Sequence, residues 1–212
     1  MLFRSKMYQR ALQGKEKALG PDHTSTLSKV NNLGNVYADL GRLDEAEKMY
    51  RRALQGYEKA WGPDHTSILD TVNNLGSLYA DLGRFDETEK MLQCALQGME
   101  KALGPDHIST LNTVSNLGIL YADLGRFDEA EKMYHRASQG YEKTLGHSLV
   151  KTYTPALNNT KNLASLYKQM GRASKAEEMY TRALRGLEAV FGYLSELYQD
   201  VIPALVDSRD RT

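Results

Sequence analysis

A repeat of 42 residues dominates the sequence. The tetrapeptide GPDH begins at Gly20, Gly62 and Gly104, so successive copies start 42 residues apart. Residues 20–61 and 62–103 are identical at 30 of 42 positions. Self-similarity at this period is typical of a supersecondary unit that buries its apolar face only by stacking on neighbouring copies. We therefore expect an array of stacked units.

The repeat divides the chain of 212 residues into six segments. The stretch MYQRALQGKEKALGPDH (7–23) matches MYRRALQGYEKAWGPDH (49–65), which predicts that the chain begins inside a repeat. The fourth copy carries a four-residue insertion, because Asn162 corresponds to Asn116 at a distance of 46 residues. We predict a half repeat at 1–19, four repeats at 20–61, 62–103, 104–145 and 146–191, and a C-terminal cap helix with a charged tail at 192–212.

Each full copy predicts two helices. In the first helix, apolar residues such as Leu27, Leu33 and Tyr37 recur on one stripe, and Gly41 ends the helix. The second helix opens with DEAE, which indicates a capping box with Asp44 as N-cap and Glu47 three residues later. The equivalent pairs are Asp86/Glu89, Asp128/Glu131 and Ser174/Glu177. Since no segment alternates with the period of a strand, the predicted fold class is all-α.

Two motifs carry a resemblance to a known family. LGNVY (33–37) and EAEKMYRRAL (45–54) resemble the tetratricopeptide repeat, with small residues at Gly34, Ala46 and Ala53, where the resemblance implies that helices cross closely. The 42-residue form with its LGPDH linker is similar to the repeats of kinesin light chains. It resembles more closely the C-terminal arrays of fungal NACHT- or NB-ARC-type signalling ATPases. The resemblance covers residues 7–191, and it implies a right-handed superhelical solenoid of antiparallel helix pairs that binds proteins or peptides.

Charge and composition restrict the partners that we expect. Lysine plus arginine equals aspartate plus glutamate, at 27 each, which argues against nucleic acid or an anionic membrane as the partner. No apolar run is long enough to span a bilayer, and the charged N-terminus does not resemble a secretory signal. A single cysteine, Cys94, fits a reducing compartment. We therefore expect a cytoplasmic protein. The sequence contains no P-loop motif, so we expect no nucleotide-binding site of that kind in these residues.

A polar column lies opposite the apolar stripe of each first helix. Asparagine recurs there, although it favours helix less than alanine by about 0.7 kcal/mol. Its amide offers donors and an acceptor, so a row of asparagines can pair with the backbone of an extended peptide. Because the first helix of each pair lines the concave surface in the family, we predict a continuous peptide-binding groove. Its residues are Ser28, Asn32, Asn35, Asp39, Asp70, Asn74, Ser77, Asp81, Asn112, Asn116, Asp123, Asn158, Asn162 and Ser165.

The alternative for this column is an ordinary solvated helix face. Such faces usually fill with glutamate, lysine, arginine and glutamine, as the second helices do. The first three copies are so alike that duplication alone can explain the repeated asparagine. The divergent fourth copy is independent, and it keeps Asn162 and places Asn158 on the same column.

Other chemistry-bearing residues do not predict a catalytic or metal site. Three repeated histidines, His23, His65 and His107, stand about 8–10 Å apart in a stacked array and cannot share one zinc ion, so we assign them linker and cap roles. No serine–histidine or cysteine–histidine arrangement is recognisable. We therefore predict a protein that is not an enzyme and has neither cofactor nor metal. Glycines recur inside the second helices, at Gly14, Gly56, Gly98, Gly140 and Gly186, where we expect close approach of the next repeat.

These features favour a non-catalytic binding scaffold, the sensor or interaction part of a larger signalling receptor. The alternative is a cargo adaptor of the kinesin-light-chain type, which the lack of a heptad segment disfavours. A carboxylate clamp for chaperone tails requires basic residues on the concave columns, and these columns have none. The half repeat at 7–19 lacks its first helix, so we also expect either self-association through this end or rapid amide exchange across residues 1–19.

Overall fold

The computed structural model of the chain describes residues 2–61 and 65–209. All regular secondary structure in these residues is helical, which confirms the all-α prediction. The helices are α1 (Leu2–Leu19), α2 (Thr24–Asp39), α3 (Leu43–Trp61), α4 (Thr66–Asp81), α5 (Phe85–Leu103), α6 (Ile108–Asp123), α7 (Phe127–Leu149), α8 (Thr154–Gln169), α9 (Ala173–Phe191), α10 (Glu196–Gln199) and α11 (Ile202–Arg209). They belong to two compact units, residues 1–102 and 103–212.

Consecutive helices pack as antiparallel pairs. In the first unit, Leu27 near the start of α2 lies against Gly56 late in α3, and Gly34 in α2 lies against Tyr50 in α3. A methyl group at Gly34 would approach the Tyr50 ring to 2.7 Å, so the helices cross closely here and the residue at the crossing must be small. Gly118 and Tyr134 repeat this contact in the second unit. The predicted close crossing at Gly34 is therefore confirmed.

The glycines inside the second helices serve a different contact from the one predicted. Gly56 meets Leu27, which belongs to the first helix of the same repeat rather than to the next repeat. The same contact joins Gly98 to Leu69, Gly140 to Leu111 and Gly186 to Leu157. Around Gly14 there is nothing within 4 Å, because α1 has no such partner in the described residues. The expectation that the next repeat approaches these glycines was wrong.

A tight turn joins the two helices of each pair. Gly41 has φ +69°, and its N–H donates to the carbonyl of Ala38 at 2.9 Å, while Arg42 N–H donates to Tyr37 at 2.9 Å. These two bonds define a Schellman motif, with glycine at the position that requires a positive φ. The turns at Gly83, Gly125 and Gly171 have the same φ within a few degrees. The predicted role of Gly41 is confirmed.

The predicted capping boxes at the second helices are wrong. Because α3 begins at Leu43, Asp44 lies within its first turn instead of preceding it. The other second helices begin at Phe85, Phe127 and Ala173, likewise one residue ahead of the predicted caps. The N-cap positions of α7 and α9 are arginines without a side-chain cap bond. The arginine that precedes each of the first three second helices forms an ion pair with the glutamate three residues later. The distances are 2.5 Å for Arg84 and Glu87 and 2.5 Å for Arg126 and Glu129, and Arg42 contacts Glu45 in the same way.

The face of α1 that contains Ala11 is more exposed than the equivalent face of any other second helix in the described residues. Leu12 is buried against the core of the first unit, but Ala11 is exposed to solvent. The residues equivalent to Ala11 are fully buried, with no accessible surface at Ala53, Ala95, Ala137 and Ala183. The second-helix face of α1 is therefore open in the described structure.

Two short helices follow α9. Gly192 has φ +76°, and Ser195 caps α10 by accepting a bond from the N–H of Tyr198. Pro203 occupies the first turn of α11, where proline is tolerated, so it does not break that helix. Buried Val201 and an ion pair of 2.6 Å between Lys168 and Asp207 anchor this segment. The tail that we expected to fray from Asp207 is helical to residue 209, and residues 210–212 lie outside the described part of the chain.

Candidate functional site

The predicted groove residues lie on the first helix of each pair. All fourteen are exposed or half-exposed, as a binding surface requires. The residues on α2 and α4 belong to the first unit, and those on α6 and α8 belong to the second.

In the second unit, four of the predicted residues surround one depression. Its volume is about 350 Å³, and it lies between α6 and α8. The asparagines around it are Asn112, Asn116, Asn158 and Asn162. Asp123 and Ser165 do not line it. The structure thus brings together the asparagines of this unit and leaves the column's acidic end outside.

Lys161 also lines this depression, and the sequence analysis missed it. Lys161 is half-buried and neighbours Asn162 on α8. The prediction followed a single column on the helical wheel and ignored the adjacent positions. Lys161 corresponds to Asn31, Asn73 and Ser115 in the other copies, so the change to a basic residue was the available signal.

In the first unit, the asparagines partly bind one another. The side-chain amide of Asn74 on α4 donates to the Oδ1 atom of Asn31 on α2 at 3.4 Å. This bond joins the first helices of two neighbouring repeats. Asparagine at these positions therefore has a structural use as well as the predicted one.

Buried tyrosines of the second helices reach the same polar face. The hydroxyl of Tyr50 donates to Asn35 Oδ1 at 2.7 Å, and that of Tyr141 donates to Asn112 Oδ1 at 2.7 Å. Burial raises the pKa of both tyrosines, so each remains a neutral donor. Asn35 and Asn112 therefore satisfy buried hydroxyls, a role that the sequence analysis did not assign.

A cluster of Glu, Tyr and Arg side chains joins successive repeats within the first unit. The Tyr79 hydroxyl donates to Glu47 Oε1 at 3.0 Å and accepts from Arg51 at 2.9 Å. The Arg84 guanidinium lies 3.8 Å from the centre of the Tyr79 ring and 3.5 Å from Glu47. Glu47, predicted to be part of a capping box, therefore binds the next repeat.

The second unit repeats this cluster with one substitution. The Tyr167 hydroxyl donates to Glu131 Oε1 at 3.0 Å, Arg172 donates to Glu131 Oε2 at 2.8 Å, and His135 stands where Arg51 stands, 3.0 Å from the Tyr167 hydroxyl. Partial burial opposes ionisation of Glu131, but the bonds from Tyr167 and Arg172 outweigh it and lower the pKa of this carboxyl. Burial, followed by the bond to Glu131, raises the pKa of Tyr167 to about 12.

The repeated histidines cap the first helices. Nδ1 of His23 accepts the backbone N–H of Ser25 at 3.1 Å, and His65 and His107 make the same bond at 3.2 Å. The predicted cap role is confirmed for these histidines. Over residues 2–61 and 65–209, no cluster of His, Cys, Asp and Glu side chains has the arrangement of a metal site. The sequence also predicts that Gly62 and Pro63 terminate the second helix of the first repeat, and these two residues lie outside the described part of the chain.

Family models agree with the helix pairs and their motifs. One model described as tetratricopeptide repeat matches residues 67–143, and a second with the same description matches residues 26–67 and 161–196. The chain belongs to the tetratricopeptide-repeat family. A comparison with curated proteins gave no match.

Solved structures of similar fold extend over most of this tetratricopeptide-repeat chain. BtubC (BKLC) from P. vanneervenii is 18% identical, with a TM-score of 0.76, and the match covers 98% of this chain and 82% of that one. A Podosopora anserina protein described as a kinesin light chain with nearly identical TPR-like repeats is 20% identical, with a TM-score of 0.68 and coverages of 89% and 88%. At such identities the likeness shows the fold, and it confirms the resemblance to kinesin-light-chain-like repeats.

Tetratricopeptide repeats generally bind protein partners, and this fold supports a protein-interaction scaffold. No helix in the described part of the chain is long and apolar enough to cross a bilayer.

Proposed function

We propose that this tetratricopeptide-repeat protein is a peptide-binding scaffold, and that the depression between α6 and α8 holds an extended segment of its partner. The observation that supports this proposal is the set of four asparagines around one depression of about 350 Å³. Each amide can donate to a carbonyl and accept from an N–H of a peptide backbone. Recognition of the backbone suits a module that accepts several sequences.

The asparagines of this site differ in which side-chain atoms they can offer to a peptide. The Oδ1 atom of Asn112 accepts from Tyr141, so this bond fixes the amide and leaves its nitrogen as the donor. Asn158 and Asn162 on α8 supply further amides, and Lys161 adds a positive charge at the edge. The site therefore favours a segment that exposes backbone carbonyls, with an acidic side chain near Lys161.

A selected peptide provides the test. A peptide chosen from a random display library against the whole chain is labelled, and its binding is measured by fluorescence anisotropy. Replacing Asn158 and Asn162 by alanine removes two hydrogen bonds of about 0.5–1.5 kcal/mol each, so the Kd should rise about tenfold. The control variant Q55A/Q97A removes two exposed amides from second helices and should leave the Kd unchanged. Equal affinities of N158A/N162A and the parent would refute the site.

Two finer roles follow from the resemblance and remain proposals. A sensor role in a larger receptor requires a P-loop ATPase module encoded next to the array. Sequencing the surrounding coding region tests for this module. The fold likeness to kinesin-light-chain repeats favours a cargo adaptor as the second candidate. Direct binding to purified kinesin heavy chain separates the two, because only the adaptor requires it. A cytoplasmic location also remains a prediction from the sequence.

We further propose that a second copy of the chain packs on the open face of α1. This face combines exposed Ala11 and Gly14, whose small size permits close helix approach, with Met7, which is 57% exposed. The equivalent faces of the other second helices are covered by a first helix. Two copies of α1 can cover each other through a two-fold contact.

A further inference from the structure

A larger cavity, of about 800 Å³, lies elsewhere in the second unit. Residues of α7, α8 and α9 and the linker around residues 150–152 enclose it. On the α8 side it is lined by Ala156, Leu157 and Thr160. These residues lie on a different face of α8 from the residues that line the asparagine depression. Its volume falls within the usual range of small-molecule sites, about 300–1,000 Å³.

Two lining residues, one from the third repeat and one from the fourth, differ from their equivalents in the other copies. Ser138 on α7 stands where the other copies have leucine, at Leu54, Leu96 and Leu184. Thr160 stands where Val30, Val72 and Val114 stand. Serine at 138 is smaller than leucine and leaves space, whereas threonine at 160 has nearly the volume of valine and changes only the polarity of the wall; both residues line the cavity.

A buried polar network holds this wall in place. The side chain of Asn159, which has no accessible surface, donates to Ser138 Oγ at 2.8 Å and to the Tyr134 carbonyl at 3.0 Å. Its Oδ1 atom accepts from Ser115 at 2.9 Å. The other copies have Lys29, Thr71 and Thr113 in place of Asn159, so serine at 138 and asparagine at 159 occur together at this one contact. A fully bonded buried network of this kind fixes its members in one arrangement.

The four-residue insertion supplies the opposite wall. Val150, which is 6% exposed, lines the cavity floor. The Lys151 carbonyl lies only 2.5 Å from the position of a methyl group at Gly186, so glycine permits the linker to approach α9. The insertion and Gly186 therefore bring an apolar floor and the Lys151 backbone to the same end of the cavity.

That end of the cavity is positively charged. Arg182 and Arg185 are exposed residues almost one turn apart on α9, and they line the cavity with Lys151. In the described part of the chain, none of these three side chains forms an ion pair. Arginine holds carboxylate, sulfonate and phosphate groups by paired hydrogen bonds. Glu178 lies about one turn before Arg182, and Glu177 and Glu178 lie about two turns before Arg185, toward the other end of the cavity.

We propose that this cavity is a second binding site, which takes a small organic anion with an aromatic body. The aromatic body lies on Val150, Ala156 and Leu157, and the anionic group pairs with Arg182 and Arg185. This site is distinct from the peptide depression, since the two share no lining residue.

Two fluorescent probes test both parts of this proposal on the whole chain. Anilinonaphthalene sulfonate carries an aromatic body and one anionic group, and N-phenyl-1-naphthylamine has the same rings without the charge. The parent should bind one molecule of each probe per chain. The double variant S138L/N159T installs the leucine–threonine combination of Leu54 and Thr71 without leaving an unbonded buried amide. It should weaken both probes about tenfold or more by filling the cavity.

The arginines are tested separately. R182Q/R185Q should weaken the sulfonate probe about tenfold, as expected for lost charge-assisted bonds, and leave the neutral probe unchanged. The control K59Q/K101Q removes two exposed charges from α3 and α5 and should change neither probe.

Three results would overturn the proposal: unchanged binding in S138L/N159T, equal effects of R182Q/R185Q and K59Q/K101Q, or more than one equivalent probe site. If circular dichroism shows that S138L/N159T does not fold, A189W carries the test. It places a ring across the cavity mouth from an exposed rim position, and unchanged binding in this variant would count against the proposal. R182Q/R185Q and A189W change no residue of the asparagine depression, whereas Asn159 bonds Ser115, which lines that depression. The peptide proposal is therefore judged by N158A/N162A alone, and failure of the arginine test leaves it intact.

Discussion

Replacing Gly186 by alanine should destabilise the protein, whereas the same change at Gly14 should stabilise it. Both glycines occupy the same position of a second helix, where alanine favours helix by about 1 kcal/mol. At Gly14 nothing in the same chain lies within 4 Å, so the whole gain should be realised at protein concentrations too low for self-association. At Gly186 the new methyl group would lie 2.3 Å from Leu157 Cδ2 and 2.5 Å from the Lys151 carbonyl oxygen.

The backbone contact decides the sign at Gly186. A leucine methyl group can shift, but the Lys151 carbonyl moves only with its linker. Overpacking of this kind costs about 1–3 kcal/mol, which exceeds or cancels the helical gain and leaves a net loss of about 0–2 kcal/mol. The two variants should therefore differ by about 1–3 kcal/mol.

Urea denaturation followed by far-ultraviolet circular dichroism measures this difference, with thermal midpoints as a second readout. For a chain of this size, 1 kcal/mol corresponds to about 2–4 °C in Tm. G56A is an intermediate control, because its methyl group meets only side-chain atoms of Leu27. If G186A is stabilised as much as G14A, the contact between helices does not explain the recurring glycine, and our reasoning fails.

Three further predictions concern other features. Asn112→Ala leaves the buried Tyr141 hydroxyl without its acceptor, so it should be less stable than Asn158→Ala by about 1 kcal/mol in urea denaturation; equal stabilities would contradict this. Between pH 10 and about 12 the unfolded chain loses the Tyr167 proton that the folded chain keeps, so stability should fall with rising pH, less steeply in Y167F. The sedimentation coefficient should rise with concentration for the parent and not for A11E; a parent that stays monomeric would exclude association through α1.

The sequence alone predicted the helix pairs well, since their determinants are local. Gly41 ends α2 because its positive φ suits glycine, and His23 caps the same helix through a bond two residues away. Such signals repeat with each copy, so one correct assignment serves several. The capping boxes failed because DEAE fits two local patterns, and only the turn geometry shows that the helix starts one residue earlier.

The long-range contacts were not predictable from the pattern. Glu47 was assigned to its own helix, yet it binds Tyr79, 32 residues later. The cavity was also missed, because Ser138 and Asn159 read separately as ordinary polar substitutions. Their shared role depends on the distance between α7 and α8, which the periodicity of the sequence does not predict.

Asparagine on the first helices can bond a buried tyrosine or bind a ligand, and Asn158 distinguishes these two roles. Asn112 accepts the hydroxyl of Tyr141, so its presence has a structural reason. The fourth copy has Leu187 in the place of Tyr141, and leucine cannot donate a hydrogen bond. Nevertheless the matching position on α8 remains an asparagine, Asn158, half-exposed at the edge of the depression. Because no tyrosine hydroxyl occupies this half-exposed amide, it is available to a ligand, which supports placing the peptide between α6 and α8.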